Sequence, residues 1–323
     1  MTKLERILIT KTPLAFVLRK SQHWYLPGFE GVPLYDVIKF FYRQIKTVGL
    51  NERASAIAYN FIMAIPPSFL FLFTLIPQLP FFKKKEIFGQ ISLLIKDIIP
   101  AEGYNKNITT FIYNTFFKTP AFSILSFGLL LALFFASNAM MGIIRSFDRS
   151  LMVFEKRKGL HDRWIAIRLT VLIFGLVLSC LILLITKGAV LKWLKVKSDF
   201  WLGFIYYGRW VVIVVLIFYS IAFIYKYAPA VQKRWKLTSP GTILATFLSI
   251  AATVGFSAFV NNFGKYNALY GSIGTIIMLM ALIFINSLVL LIGFELNVSI
   301  KSLKLIAEHR AAEEKKNAAK QIT

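Results

Sequence analysis

Long, nearly uncharged apolar runs alternate with shorter polar and basic segments along the chain. Six of these runs are long enough to cross a bilayer as helices, which takes about 20 apolar residues. They cover residues 54–79, 121–147, 165–186, 204–227, 240–263 and 272–300. The runs are continuous, unlike the alternating, roughly ten-residue strands of an outer-membrane barrel. The pattern therefore predicts an all-α polytopic membrane protein, with a six-transmembrane-helix bundle over residues 54–300.

Three segments flank or interrupt this bundle. Residues 1–53 form an N-terminal region in which LYDVIKFFYRQI places apolar and aromatic residues on one helical face. That helix either lies in the membrane interface or packs under the bundle. Residues 80–120 contain two amphipathic stretches, which predict a small helical extracytoplasmic segment between spans one and two. Residues 301–323 form a charged tail that is either a solvated helix or disordered.

Charge gives the orientation of the bundle. The formal net charge is +23, although only 16% of the residues are charged. The N-terminal region, the tail and the two loops on the same side carry 25 Lys and Arg, and the opposite side carries 12. By the positive-inside rule, both termini are cytoplasmic. Anionic lipid headgroups at the cytoplasmic face are the partners this charge predicts, and no nucleic acid is needed to explain it.

The first span contains an adjacent pair of prolines, Pro66 and Pro67. Each proline removes a backbone donor and clashes with the carbonyl four residues earlier, which lipid cannot hydrogen-bond. The two halves of the run are too short to cross separately, so one kinked or broken span is predicted. We expect Asn138, Asn286 or water beside this break. If only apolar side chains surround it, the prolines merely shape the bundle.

Several polar residues lie inside the predicted spans, where they are costly in lipid and usually face protein or water. Asn60, Asn138 and Asn286 could form interhelical hydrogen bonds. Arg145 and Asp148 could pair with each other at i,i+3, and Glu295 could pair with a cytoplasmic-side Lys or Arg. The alternative is one polar pocket, open to the cytoplasm, lined by Asn60, Asn138, Arg145, Asp148, Asn286 and Glu295.

Small residues predict turns and close helix contacts. In YGSIG, Gly271 and Gly274 suggest a tight turn that opens span six, with close packing behind it. Ala251 and Gly255 are spaced i,i+4, as in helices that approach each other closely.

Residue types typical of catalysis are scarce. The three histidines are scattered, the single cysteine lies within span three, and most of the 15 acidic residues lie outside the spans. Neither zinc-ligand spacing nor a GxxxxGK[ST] or GxSxG motif is present. We therefore expect no catalytic, metal-binding or cofactor-binding residues, and a protein that is not an enzyme.

Three stretches resemble a known family. They are RASAIAYNFIMAIPPSFLFLFTLIP, SNAMMGIIRSFDRSL, and the SPG, YGSIG and LLIGFELN motifs within residues 239–297. On these residues the sequence is similar to the YihY/BrkB family of bacterial inner-membrane proteins. The resemblance implies a six-span bundle in the inner (cytoplasmic) membrane, with both termini inside. Members have been linked to virulence and serum resistance, and a ribonuclease label has attached to the family, which supplies no catalytic residues to carry over.

The function these features favour is a transporter or flippase-like permease for a lipid or another amphiphilic or anionic envelope substrate. Alternating access around spans one, two and six would be its mechanism. The alternative is a non-transporting envelope assembly or scaffold protein, with a second copy of the chain or another envelope protein as its partner. A ribonuclease is not favoured, because a two-metal nuclease needs several converging carboxylates or imidazoles.

Overall fold

The all-α prediction is confirmed within the residues that the computed structural model describes, which form seven helices of 14 residues or more and no strand. The described residues are 24–75, 88–89, 92, 109–110, 113–114, 122–150, 159–185, 199–231, 234–262 and 265–322. The helices are α1 (Leu34–Thr47), α2 (Leu50–Leu75), α3 (Phe122–Asp148), α4 (Gly159–Ile185), α5 (Asp199–Tyr227), α6 (Pro240–Asn262) and α7 (Lys265–Ile322).

Each predicted span falls on one of the helices α2 to α7. Within the described ranges, four helical segments are both long and apolar enough to cross a membrane. They are Leu50–Leu72, Ser126–Asp148, Pro240–Val260 and Ile276–Glu314, and a shorter apolar segment is Val211–Tyr227. The predicted extracytoplasmic segment lies outside the described residues, apart from a few helical positions between 88 and 114.

The chain divides into two compact units. The larger combines Met1–Ala58 with Ile143–Thr323, and the smaller is Tyr59–Gly142. Helices α2 and α3 each begin in one unit and end in the other. In the larger unit, α7 packs against α1 and α6, while α5 packs against α4 and α6.

Helix α1 is confirmed, and one of its faces packs inside the larger unit. Val37 is fully buried in a cluster with Phe29, Val32 and Ile300, so α1 lies against α7. Ile38 and Tyr42 belong to the face that was predicted to be apolar, and both are more than half exposed. The helix thus has a packed face and a separate exposed apolar face. Contact with the membrane interface stays a prediction for the exposed one.

In the smaller unit, α2 continues as one helix through Pro66 and Pro67. This agrees with a single span rather than two half-spans. Glycines of α3 let α2 come close: a Cβ on Gly142 would lie 3.0 Å from Nδ2 of Asn60, and one on Gly128 would lie 3.5 Å from Cα of Phe71. The hydrogen-bond partner expected for the carbonyls before the prolines stays a prediction.

The predicted turn at YGSIG is wrong. Helix α7 begins at Lys265 and runs through both Gly271 and Gly274. Glycine is a common helix breaker in water, but in lipid the backbone finds its partners only within the helix, and glycine is frequent in membrane helices. Gly274 is buried, as close packing requires. Beyond residue 300 the same helix continues, so the tail is helical rather than disordered.

Candidate functional site

A buried ion pair joins the beginning of α2 to α7. Nη1 of Arg53 lies 2.7 Å from Oε1 of Glu295, and the two side chains are 1% and 0% exposed. The residues are 242 positions apart in sequence. Removing two charges from water costs several kcal/mol per ion, which close pairing must offset. Arg53 and Glu295 therefore stabilise the contact between these helices only when both are present, because either charge alone would be buried without a partner.

Ser150, just beyond the end of α3, donates a hydrogen bond to the same Oε1 of Glu295. The carboxylate on α7 thus receives contacts from two other segments, the start of α2 and the residues just beyond α3, which adjoin predicted spans one and two. We call Arg53, Ser150 and Glu295 the charged clamp. Arg149 adds a second positive charge close enough to repel that of Arg53.

The charged clamp is incompletely hydrogen-bonded. Within the described part of the chain, Nε and Nη2 of Arg53 and Oε2 of Glu295 are buried and have no hydrogen-bond partner. Buried polar atoms in native proteins nearly always have one, so such exceptions need a functional or structural explanation. Arg53 therefore has hydrogen-bond donors that its contact with Glu295 does not use.

Aromatic rings form an apolar wall next to the charged clamp. The rings of Phe147 and Phe294 stack with centroids 3.8 Å apart. Tyr225 lies 5.9 Å from Phe147, and Trp235 lies 5.5 Å from Phe294. These rings are buried, and Phe294 adjoins Glu295 in sequence. Charge interactions strengthen where buried apolar groups exclude water.

The start of α6 is fixed to α7 by Asn297. Oδ1 of Asn297 accepts the backbone N–H of Gly241 at 2.9 Å, and Nδ2 donates to Oγ of Ser239 at 2.9 Å. Ser239 in turn accepts the backbone N–H of Thr242 at 3.4 Å. Pro240, at the first helical position, has no N–H to satisfy. The SPGT sequence is thus a helix cap completed by a residue of the distant GFELN motif.

We expect Asn297→Ala to lower the free energy of unfolding by about 1–3 kcal/mol, because it leaves the buried donor of Gly241 without a partner. Thermal stability of the purified protein in detergent is the measurement. Ser220→Ala is the matched control, since that hydroxyl bonds only to the carbonyl of Leu216 on its own helix. Equal stability of the two variants would contradict the capping role.

Two of the predicted polar residues have clear partners. Asn286 accepts a hydrogen bond from Ser249 of α6 at 2.5 Å and donates to the carbonyl of Leu282 at 3.0 Å. It therefore links two helices, as one interpretation of the sequence predicted. Glu295 pairs with a basic residue near the predicted cytoplasmic end, which is also one of the predicted alternatives. Glu295 lies nine positions after Asn286, about 13 Å along the helix, and among the described residues the two side chains share no hydrogen-bond partner.

The other four predicted residues are divided between the units. Asn60 and Asn138 are half-buried in the smaller unit. Arg145 and Asp148 belong to the larger unit, and both are exposed. A single pocket lined by all six residues stays a prediction.

Arg53 and Ser150 were missed as candidate site residues. Arg53 was counted only as a cytoplasmic positive charge, and Ser150 is a small polar residue at the end of a span. The available signal was their place at the edges of the first two family-like stretches. Among the described residues, no three His, Cys, Asp or Glu side chains lie close enough to hold a metal ion.

Comparisons with known proteins agree with a membrane protein. The family described as "Virulence factor BrkB" matches residues 41–319. The chain is 27% identical over 261 residues to the ribonuclease-like protein YfkH of Bacillus subtilis strain 168, covering 80% of this chain and 92% of that protein. It is 22% identical over 312 residues to a UPF0761 membrane protein of Tolumonas auensis, covering 92% and 96%. No solved structure matches the chain.

Proposed function

The chain belongs to the BrkB family, and from that premise we propose that it is a six-span permease of the bacterial inner membrane that moves an anionic amphiphile, such as an envelope lipid or lipid precursor. Both termini face the cytoplasm in this proposal, as the distribution of Lys and Arg favours. The observation that carries it is the charged clamp, a buried and incompletely bonded ion pair at the ends of predicted spans one, two and six.

Three properties of the charged clamp favour transport over a purely structural role. Ionisable residues inside membrane proteins are costly and commonly mark substrate or ion paths. The guanidinium of Arg53 has two nitrogens with free hydrogens, and this planar group suits bidentate binding of phosphate or carboxylate. The positive charge of Arg149, close enough to repel that of Arg53, also favours an anion there.

In the proposed mechanism the anionic group of the substrate binds the free nitrogens of Arg53 and competes with Glu295. Loss of the Arg53–Glu295 contact releases the start of α2 from α7, and loss of the Ser150 contact releases the end of α3. When the substrate leaves, the pair re-forms and restores the closed arrangement. The substrate drives this change only because it binds the open arrangement more strongly.

The test is lipid movement by the purified full-length protein in liposomes. We expect fluorescent phosphatidylglycerol to cross faster than in protein-free liposomes, and Glu295→Gln to slow this by at least tenfold, a change of about 1.4 kcal/mol in barrier. This substitution keeps the side-chain shape but removes the charge. Glu313→Gln, at an exposed position of the same helix, is the matched control and is expected to leave the rate unchanged.

Two experimental outcomes would contradict the proposal that the protein is a permease. One is correctly folded protein that moves neither anionic nor zwitterionic lipids, nor their single-chain forms. The other is a Glu295→Gln variant with the unaltered rate. The first would favour the non-transporting envelope assembly role, for which cross-linking should recover a second copy or another envelope protein.

We further propose that the chain is not an enzyme and does not bind nucleic acid, although its Bacillus relative is named ribonuclease-like. No catalytic residues can be assigned in the described part of the chain. Cleavage of RNA by the purified protein, abolished by changing a single carboxylate, is the result that would overturn this proposal.

A further inference from the structure

A basic pocket of about 300 Å³ lies in the larger unit, between the turn before α1, the segment before α6, and α7. Four cationic residues line it: Arg234, Lys236, Lys301 and Lys304. Glu30 is the only carboxylate among its lining residues. We call this cavity the basic pocket. It shares no lining residue with the charged clamp.

Among the residues that the structure describes, most of the cationic side chains in the basic pocket have no acidic partner. Nζ of Lys304 lies 2.8 Å from Oε2 of Glu30. The guanidinium of Arg234 lies over the ring of Tyr227, at 5.2 Å, rather than beside a carboxylate. Within the described part of the chain, Arg234, Lys236 and Lys301 have no acidic partner. The lining therefore has a net charge of +3, and an anion that enters gains from all of it.

The basic pocket also has an apolar side. Trp235 and Ile300 are 8% and 4% exposed, and Pro240 begins α6, one of the helices long and apolar enough to cross a membrane. Two polar lining residues, Ser239 and Asn297, are already engaged in capping α6. A ligand is therefore recognised by the cationic side chains and the apolar wall rather than by free backbone N–H groups.

We propose that the basic pocket binds a phosphate group, and that the headgroup of an anionic phospholipid supplies it. Lys and Arg side chains that converge, three of them without an acidic partner among the described residues, match the charge of a phosphate. A volume of about 300 Å³ is at the small end of ligand sites, enough for a phosphate with a short attached alcohol. The apolar side of the basic pocket, beside the start of α6, then contacts the part of the lipid next to its phosphate. This site requires no transport activity.

The experiment uses full-length protein in detergent, titrated with phosphatidylglycerol, phosphatidylcholine and, separately, glycerol 3-phosphate. Native mass spectrometry measures bound lipid, and calorimetry measures the soluble phosphate ester. We expect phosphatidylglycerol to bind more tightly than phosphatidylcholine. The double variant Lys236→Gln with Lys301→Gln should weaken its binding by roughly tenfold or more, since each basic residue near a membrane surface adds substantially to anionic lipid affinity.

The matched control is Lys39→Gln with Arg43→Gln, two exposed positions on α1 that do not line the basic pocket. It removes the same charge and should change the affinity less than twofold. An equal loss of phosphatidylglycerol affinity in both double variants would show that diffuse surface charge binds the lipid, and would overturn the proposed site. The absence of any preference for phosphatidylglycerol, together with no binding of glycerol 3-phosphate, would also overturn it.

Tight binding of glycerol 3-phosphate that is lost in the pocket variant would support the phosphate site but assign it to a soluble ester rather than a lipid. A second measurement needs no variant. In the unaltered protein, phosphatidylglycerol should protect Lys236 and Lys301 from acylation while Lys39 stays reactive. Equal reactivity of these three lysines with and without the lipid would contradict the proposal.

Discussion

Arg53→Ala is expected to lower the free energy of unfolding by about 3–5 kcal/mol, because it leaves the carboxylate of Glu295 buried without a counterion. Glu295→Ala should cost a similar amount, since it isolates the arginine. Replacing both residues, as Arg53→Met with Glu295→Leu, should recover most of the loss, because apolar side chains of similar volume remove the desolvation cost. Thermal unfolding of the purified protein in detergent is the measurement.

The same three variants separate stability from transport. If the charged clamp acts in transport, the double apolar variant should be stable but inactive in liposomes. Arg310→Ala is a suitable control, since this arginine is exposed on the same α7 helix that holds Glu295. A double variant that is stable and fully active would limit the ion pair to a structural role. Single variants as stable as the control would contradict the burial argument itself.

Gly241→Ala is expected to destabilise the contact between α6 and α7 by about 3 kcal/mol or more, near the upper end for overpacked cores. An added Cβ would overlap the backbone carbonyl oxygen of Gly293 and lie 2.6 Å from Cγ of Asn297. On the facing helix α7, a Cβ added to Gly293 would lie 2.6 Å from Cβ of Ala245 and 2.6 Å from the carbonyl oxygen of Gly241. Backbone atoms in two packed helices cannot move aside as flexible side chains can.

Gly255→Ala is the matched control on the same helix, because an added Cβ there meets nothing within 4 Å. Alanine is intrinsically the better helix former by about 1 kcal/mol, so this variant should be neutral or slightly stabilised. Both variants are compared by their yield and monodispersity after detergent extraction, and by thermal unfolding of the purified protein. Equal behaviour of Gly241→Ala and Gly255→Ala would show that the helices can separate without cost.

Sequence predicted the helices well for a physical reason. Lipid offers the backbone no hydrogen-bond partners, so a long apolar run in a membrane protein has few alternatives to a helix. The same reason explains why Pro66 and Pro67 did not divide α2 and why Gly271 did not end α7. Close helix contacts were predicted less well. Ala251 and Gly255 have the expected spacing but are exposed, whereas α6 and α7 approach each other closely at Gly241 and Gly293, and α2 and α3 at Gly128 and Gly142.

The charged clamp could be predicted only in part. That Glu295 pairs with a basic residue follows from the cost of burying a lone charge, but nothing in the local spacing selects Arg53, 242 residues away. Ser150 carries no charge and therefore gave no electrostatic signal at all. Asn297 shows the same limit, because its role depends on the SPG segment that begins 58 residues earlier. Long-range partners are set by helix packing, which one sequence does not reveal.

Helix α7 is long and unbroken, so a movement at one point along it would be expected to reach its end. At 1.5 Å per residue its 58 residues extend about 87 Å, nearly three times the thickness of a bilayer core. Beyond Glu295 it contains neither glycine nor proline up to Ile322, so nothing in that stretch favours a hinge. A rotation of the helix at the ion pair would therefore be expected to displace its far end, about 40 Å away.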